Sequence, residues 1–437
     1  MSTATASAAA AATVPTPLAR VLNEYRAGAA QGTGGPQEHA ARERAALALE
    51  QVGWPSTRDE QWRYANLRAL ERVASFQPVS RVAPTATAAA ALMDLPPPLP
   101  GFARLVFLDG IRHGPYALPA GVRSVAPQGA HAAQWSAAQR LGWLCEMFAT
   151  DTAALEVAGE AALELLFVTS EASVERAVYP RLQLELAAGS RLQLVERHLG
   201  APSGPAFVAC NISIELARGA LLTHYRTQQC GAHVSFTDSL DVRVADEAQY
   251  RVRQAALGAH DARTSARVRL AGHEARLLWH AIAVGRGEQV HDTTLQVLHA
   301  ARATGSEQVF RGIADERARL AFSGHVHIDA TAPGSEARQS LRGLIEGPGA
   351  EIDLRPRLEI SIDEVRATHG ATTGRLDENL LFYLLARGLD PATARALLKW
   401  AFLGDVLREI ALPALRTEVE RLAAGQLPDV LAVGAVT

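Results

Sequence analysis

The chain has 437 residues, 48% of them hydrophobic and 20% charged, with a formal net charge of −3. That length suits two or three structural units rather than one core, and the near-neutral charge gives no field favouring nucleic acid or anionic lipid. No stretch approaches the roughly 20 apolar residues of a membrane-spanning helix, and three scattered cysteines, Cys145, Cys210 and Cys230, fit a reducing cytoplasm rather than a disulfide framework.

In chain order, residues 1–17 are rich in Ala, Thr and Ser, without a basic start or a Leu/Val/Ile core, and read as a disordered tail rather than a signal peptide. Residues 18–75 read as helical: one run covers 37–52 and ends before Gly53-Trp54-Pro55, and a second covers 59–73 behind the caps Ser56 and Thr57. Residues 76–103, with Pro96-Pro97-Pro98 and Pro100, read as a Pro/Ala-rich linker.

From residue 104 to about 368 the apolar period becomes two. Triplets stand at Leu182, Leu184, Leu186; at Ile212, Ile214, Leu216; at Leu240, Val242, Val244; and at Ala266, Val268, Leu270, with a last one at Leu358, Ile360, Ile362. Each of the first four is followed by a turn, such as Ala188-Gly189-Ser190 or Arg218-Gly219-Ala220, and then by a second strand. A strand–turn–strand unit recurring every ~26–30 residues predicts a β-solenoid, with a sandwich as the alternative. Alternation buries one face of each strand.

The helical period returns in residues 369–437. Leu376, Leu380, Leu381, Leu384 and Leu385 share a face, Gly388 suits the position after a helix, Asp390-Pro391 opens the next helix, and Pro413 and Gly425 bracket a third. Open solenoid ends expose strand edges, so helices on both sides are expected as caps.

Enzyme signatures are missing. Lys399 is the single lysine and no glycine loop precedes it, so there is no phosphate-cradling loop and no other Schiff-base lysine. Gly32, Gly34 and Gly35 read as linker, and His273-Glu274 lacks the second histidine of a zinc helix. His325 and His327 fall on one side of a strand but have no further ligand nearby in sequence, Asp292 and His299 read as structural, and Cys210 and Cys230 read as buried thiols on neighbouring coils. Three separated thiols do not complete a four-thiolate cluster shell.

The most informative segment joins the last strand to the first C-terminal helix and contains His369-Gly370-Ala371-Thr372, Phe382-Tyr383-Leu384 and Arg387-Gly388 after Pro356-Arg357-Leu358-Glu359-Ile360. On chemistry alone, His369 beside glycine is either an open imidazole or a turn histidine bonded to backbone. The segment resembles the C-terminal signature of the SufB/SufD family of iron–sulfur cluster assembly scaffolds, in its SufD branch rather than the longer SufB one. Asp59-Glu60-Gln61-Trp62-Arg63-Tyr64-Ala65-Asn66-Leu67 and Leu105-Val106-Phe107-Leu108-Asp109-Gly110 are similar to the family's N-terminal element and first strand. One departure is Ala367, where many members carry cysteine.

The resemblance implies a right-handed parallel β-helix flanked by N- and C-terminal helices, a non-catalytic role, and a complex with a SufB-like subunit and a SufC-like ATPase. It makes His369 the ligand of a nascent cluster or iron shared with SufB, held transiently, with no tightly bound cofactor on the isolated chain. The SufB-like contact is expected at the end of the β-helix, through Leu358, Ile360 and Ile362, and the SufC-like contact at Leu397, Trp400, Phe402 and Leu407. In isolation the chain is expected to pair with itself. A SufB-like paralogue is the near alternative. A β-helix enzyme acting on polysaccharide is the distant one, and it would need clustered Asp, Arg and Lys on one strand face.

Overall fold

The computed structural model describes residues 15–29, 36–79, 91–114, 117–127, 135–427 and 429–430. Most of the expected N-terminal tail, the Gly32, Gly34 and Gly35 run and residues 80–90 of the expected linker lie outside them.

The period-two pattern is a β-solenoid of about 8 turns. Two ten-stranded sheets face each other. One contains, from its penultimate coils to its end, strands Arg276–Gly285, Gly305–Ala314, Ser335–Ile345 and Val365–Gly374; the other ends in Val290–His299, Arg319–Ile328 and Glu351–Ile360. Pairing along both is parallel except for the antiparallel partners Ile111–His113 and Val122–Ser124 at the start.

The alternating triplets stack in register. Leu184, Ile214, Val242, Val268, Val297, Val326 and Leu358 form one inward ladder, and Leu186, Leu216, Val244 and Leu270 begin the next. These side chains are almost fully buried through Val326, and each contributes roughly 1.5–3 kcal/mol of burial. Leu358 and Ile360 take the second and third ladder positions, so the residue completing their triplet is Pro356, and Ile362 lies beyond the strand. The turns stack too. Gly189 and Gly219 have φ of +72° and +67°, a left-handed backbone that glycine adopts without penalty, and their N–H groups donate to the next coil at Arg218 and Asp246.

The helices do not cap the ends. Those near the N-terminus, Pro17–Ala29 and Pro36–Val52, pack with Gly142–Phe148 on the outer face of one sheet through Phe207 and Ala209. Helices Pro391–Leu407 and Pro413–Gly425 pack on the outer face of the other through Val195, Ile282 and Ile313. Burying an outward apolar stripe on each sheet wins over covering the solenoid's end.

The expected helix over residues 59–73 is broken. Only a turn at Glu60–Trp62 and a short helix Leu67–Glu71 form. Trp62 explains the break: its ring lies under Arg263, 3.8 Å from the guanidinium carbon, and its Nε1–H donates to Ala137 at 2.9 Å. Helix Gly142–Phe148, inside the region read as strands, was missed because every residue of it is buried and no amphipathic period shows.

Candidate functional site

The solenoid ends in an open coil. Strands Glu351–Ile360 and Val365–Gly374 are both edges of their sheets, paired on one side only. Val365–Gly374 is almost entirely exposed, whereas its neighbour Ser335–Ile345 alternates buried and exposed residues. A long flat edge of this kind is normally covered in natural proteins.

His369 lies within strand Val365–Gly374, not at the exit of a last strand running from Leu358. The body therefore runs past residue 368, and the first C-terminal helix starts at Glu378. Parity makes His369 an inward residue: it continues the ladder Leu194, His224, Val252, Trp279, Gln308, Gln339. With no coil above it, this interior position faces out of the open end. The imidazole makes no hydrogen bond among the described residues, so the turn-histidine alternative falls away, and a Cβ built on Gly370 would meet nothing within 4 Å. Gly370 has the opposite parity, on the outer face beside Ser340, and this chain's own packing does not demand its small size.

Leu358 and Ile362 are half-buried on the same end and Ile360 is 44% exposed, so all three expected edge residues border the open coil. The C-terminal set divides differently. Leu397 is exposed and Trp400 and Phe402 are half-buried against the C-terminal cluster, but Leu407 is 1% exposed and belongs to that core, which the sheet-packed geometry of its helix requires. Helix Glu378–Ala386, capped by Asp377, buries none of its residues; Phe382 is 72% exposed, with Leu380 and Tyr383 beside it. Its apolar face is visible in the sequence, but not that the face is left uncovered.

The other candidates settle into structure. His325 pairs with Glu359 at 3.2 Å, Asp292 pairs with buried Arg263, and His299 is held by Thr304 and Ser306 at 2.8 Å each. Cys145, Cys210 and Cys230 are free and buried, and burial pushes all three thiols up, Cys230 to about 12. Among the described residues no group of three or more His, Cys, Asp or Glu could hold a metal ion. His369 is exposed and belongs to no such group.

A buried ionic network inside the solenoid was not foreseen. Glu196 accepts from Arg226 at 2.8 Å and meets His198 and His224 at 2.7 and 3.0 Å; Arg226 also reaches Asp238 at 2.6 Å. Burial alone would raise Glu196, but Arg226, His198 and His224 together hold it well below the usual carboxylate range, while burial leaves Asp238 raised. The signal was present as Glu196 and Arg226 at inward parity, where a strand of this kind carries apolar residues.

The fold, then, is that of a parallel β-solenoid protein, and the comparisons with known proteins refine this. The family model described as SUF system FeS cluster assembly, SufBD core domain, matches residues 167–402. The chain is 29% identical over 406 residues to an iron–sulfur cluster assembly SufBD family protein of Synechocystis sp., covering 86% of this chain and 88% of that protein. It is 26% identical over 251 residues to the iron–sulfur cluster assembly protein SufD of Escherichia coli, covering 57% and 59%, and 32% identical over 138 residues to SufD of Bacillus subtilis, covering 32% of each. This chain belongs to the SufBD family of iron–sulfur cluster assembly proteins.

Proposed function

We propose that the chain is a SufD-type, non-catalytic scaffold subunit working in the cytoplasm with a SufB-like partner and a SufC-like ATPase. The observation that carries this reading is His369: an unbonded imidazole at an interior ladder position, facing out of an open coil with two free strand edges. A SufB-like subunit adds its own strands along Val365–Gly374 and Glu351–Ile360 and buries Leu358, Ile360 and Ile362. The nascent cluster or iron is cargo held transiently between the two chains. His369 supplies one ligand, and cysteine and acidic groups of the partner supply the others. In the partner's absence the same edge pairs with a second copy of this chain.

The SufC-like ATPase docks on the C-terminal helices, where Leu397 and the accessible parts of Trp400 and Phe402 lie near the uncovered helix Glu378–Ala386. Motion of the ATPase is then transmitted through helices packed directly on the solenoid sheet. The test is co-expression with SufB-like and SufC-like chains of the same host, followed by tandem purification. A stable assembly containing all three supports the reading, and a chain that associates with neither overturns it.

A further inference from the structure

Beneath His369 lies a constructed polar step. Gln339, 3% exposed, is its register partner in the next coil, and Gln308, fully buried, is the partner of Gln339 in the coil below. The Gln339 Nε2 group donates twice, to Gln308 Oε1 and to the backbone carbonyl of Gly324, both at 2.9 Å. A backbone carbonyl only accepts, so the atom facing it must be the nitrogen, and the orientation of the amide is fixed. This leaves Gln339 Oε1 as a buried acceptor with no donor, an arrangement that costs about 1–3 kcal/mol if it stays unmet.

Room for this pair is made on the facing sheet. Gly324 occupies the ladder that holds Leu240, Ala266 and Leu295 in earlier coils. A Cβ there would come within 2.6 Å of Gln339 Nε2 and still closer to Gln308 Oε1. Gln339 and His369 also border an open groove of about 270 Å³ at the free edge of the sheet, lined mainly by residues of its outer face such as Arg338 and Thr372. A neutral imidazole always carries one N–H, and neighbouring parallel strands are ~4.8 Å apart, so the ring is within reach of the amide by side-chain rotation.

We propose that Gln339 is the positioning residue for His369: its free Oε1 accepts the imidazole N–H, fixes one tautomer, and leaves the opposite nitrogen bare and aimed out of the open coil at the cargo. The Gln308–Gln339–Gly324 step is the anchor that keeps the acceptor pointing upward. A partner of this kind orients a ligating histidine and makes it a better donor. The proposal rests on the reading of His369 as cargo ligand and adds the group that presents it.

The test is the tautomer of His369, read by two-bond proton–nitrogen correlation spectra of the full chain labelled with ¹⁵N-histidine at mildly alkaline pH. His369→Gln assigns the signal. One dominant tautomer is expected in the unsubstituted chain, reverting to the mixture of a free imidazole in Gln339→Met, partly reverting in Gln308→Met, which removes one of the two acceptors that fix the amide, and persisting in Leu320→Met, an equally buried change outside this step. Cluster assembly in the partnered complex is expected to fall about 10-fold in Gln339→Met. A free-imidazole mixture in the unsubstituted chain overturns the proposal without needing any variant to fold. A fixed tautomer in a chain whose His369→Ala variant still assembles clusters normally would instead overturn the cargo reading and leave the contact standing.

Discussion

Arg197, fully buried on the outer face of the solenoid, holds Glu418 of the last C-terminal helix at 2.5 Å and Glu164 of its own sheet at 2.9 Å. Glu164 in turn takes Arg104 at 2.6 Å. The chain of charges ties helix Pro413–Gly425 to the sheet at a point the apolar contacts surround.

Removing Glu418 leaves a buried guanidinium with one carboxylate where it had two. Glu418→Ala is expected to cost about 2 kcal/mol, read as a lower urea midpoint, and to raise amide exchange in helix Pro413–Gly425 first. Leu407→Ala, a core truncation in the preceding helix, is expected to cost about 2–5 kcal/mol. An unchanged midpoint in both would mean that the helices are not docked on the sheet in this way.

The strand ladders were legible because burial on one face forces period two, and parallel coils repeat it: Leu184, Ile214, Val242 and Val268, each the middle of its triplet, lie in one stack, whereas the last triplet is offset by one ladder position. Two helix ends were legible from local signals, since Asp390 caps the helix it precedes and Gly388 follows one with a φ of +90°. What was hidden depends on contacts between distant residues. Trp62 breaks its helix to reach Arg263, and Leu407 turns inward because its helix lies on a sheet. Of the site, His369 was found through its motif, but its strand position and its neighbour Gln339 required the register.

His299 gives a pH signature. Burial, and secondarily Arg276, pushes its imidazole down to about 4. The unfolded chain takes up that proton near the ordinary value of about 6.5, so the unfolded state binds more protons between there and about 4. Stability from the neutral ring is fully present above about 6.5, falls as pH drops, and is lost completely near 4, by roughly 3 kcal/mol. His299→Gln is expected to flatten the slope of unfolding free energy across that window. The same slope in both proteins would place the titration elsewhere.

The two aromatic positions on the C-terminal helices are expected to separate. Phe382→Asp alters a side chain that touches little and is expected to move stability by less than about 0.5 kcal/mol, while lowering retention of the ATPase partner in pull-down. Trp400→Asp, half-buried against the C-terminal cluster, is expected to destabilise the chain as well. If Phe382→Asp retains the partner fully, the docking surface lies away from helix Glu378–Ala386.

The central claim is that His369 acts on cargo and not on the fold, and the most direct measurement is complementation of a strain lacking this subunit, grown under iron limitation, by the His369→Ala variant. The exposed imidazole adds no more than its contact to Gln339 Oε1, which water reaches once the ring is gone, so it contributes little stability. The expected result is therefore an unchanged melting temperature, complex assembly intact by gel filtration, and growth failing for want of clusters, with partial recovery in His369→Cys because a thiolate also ligates iron. Full growth of the alanine variant at normal expression would contradict the account.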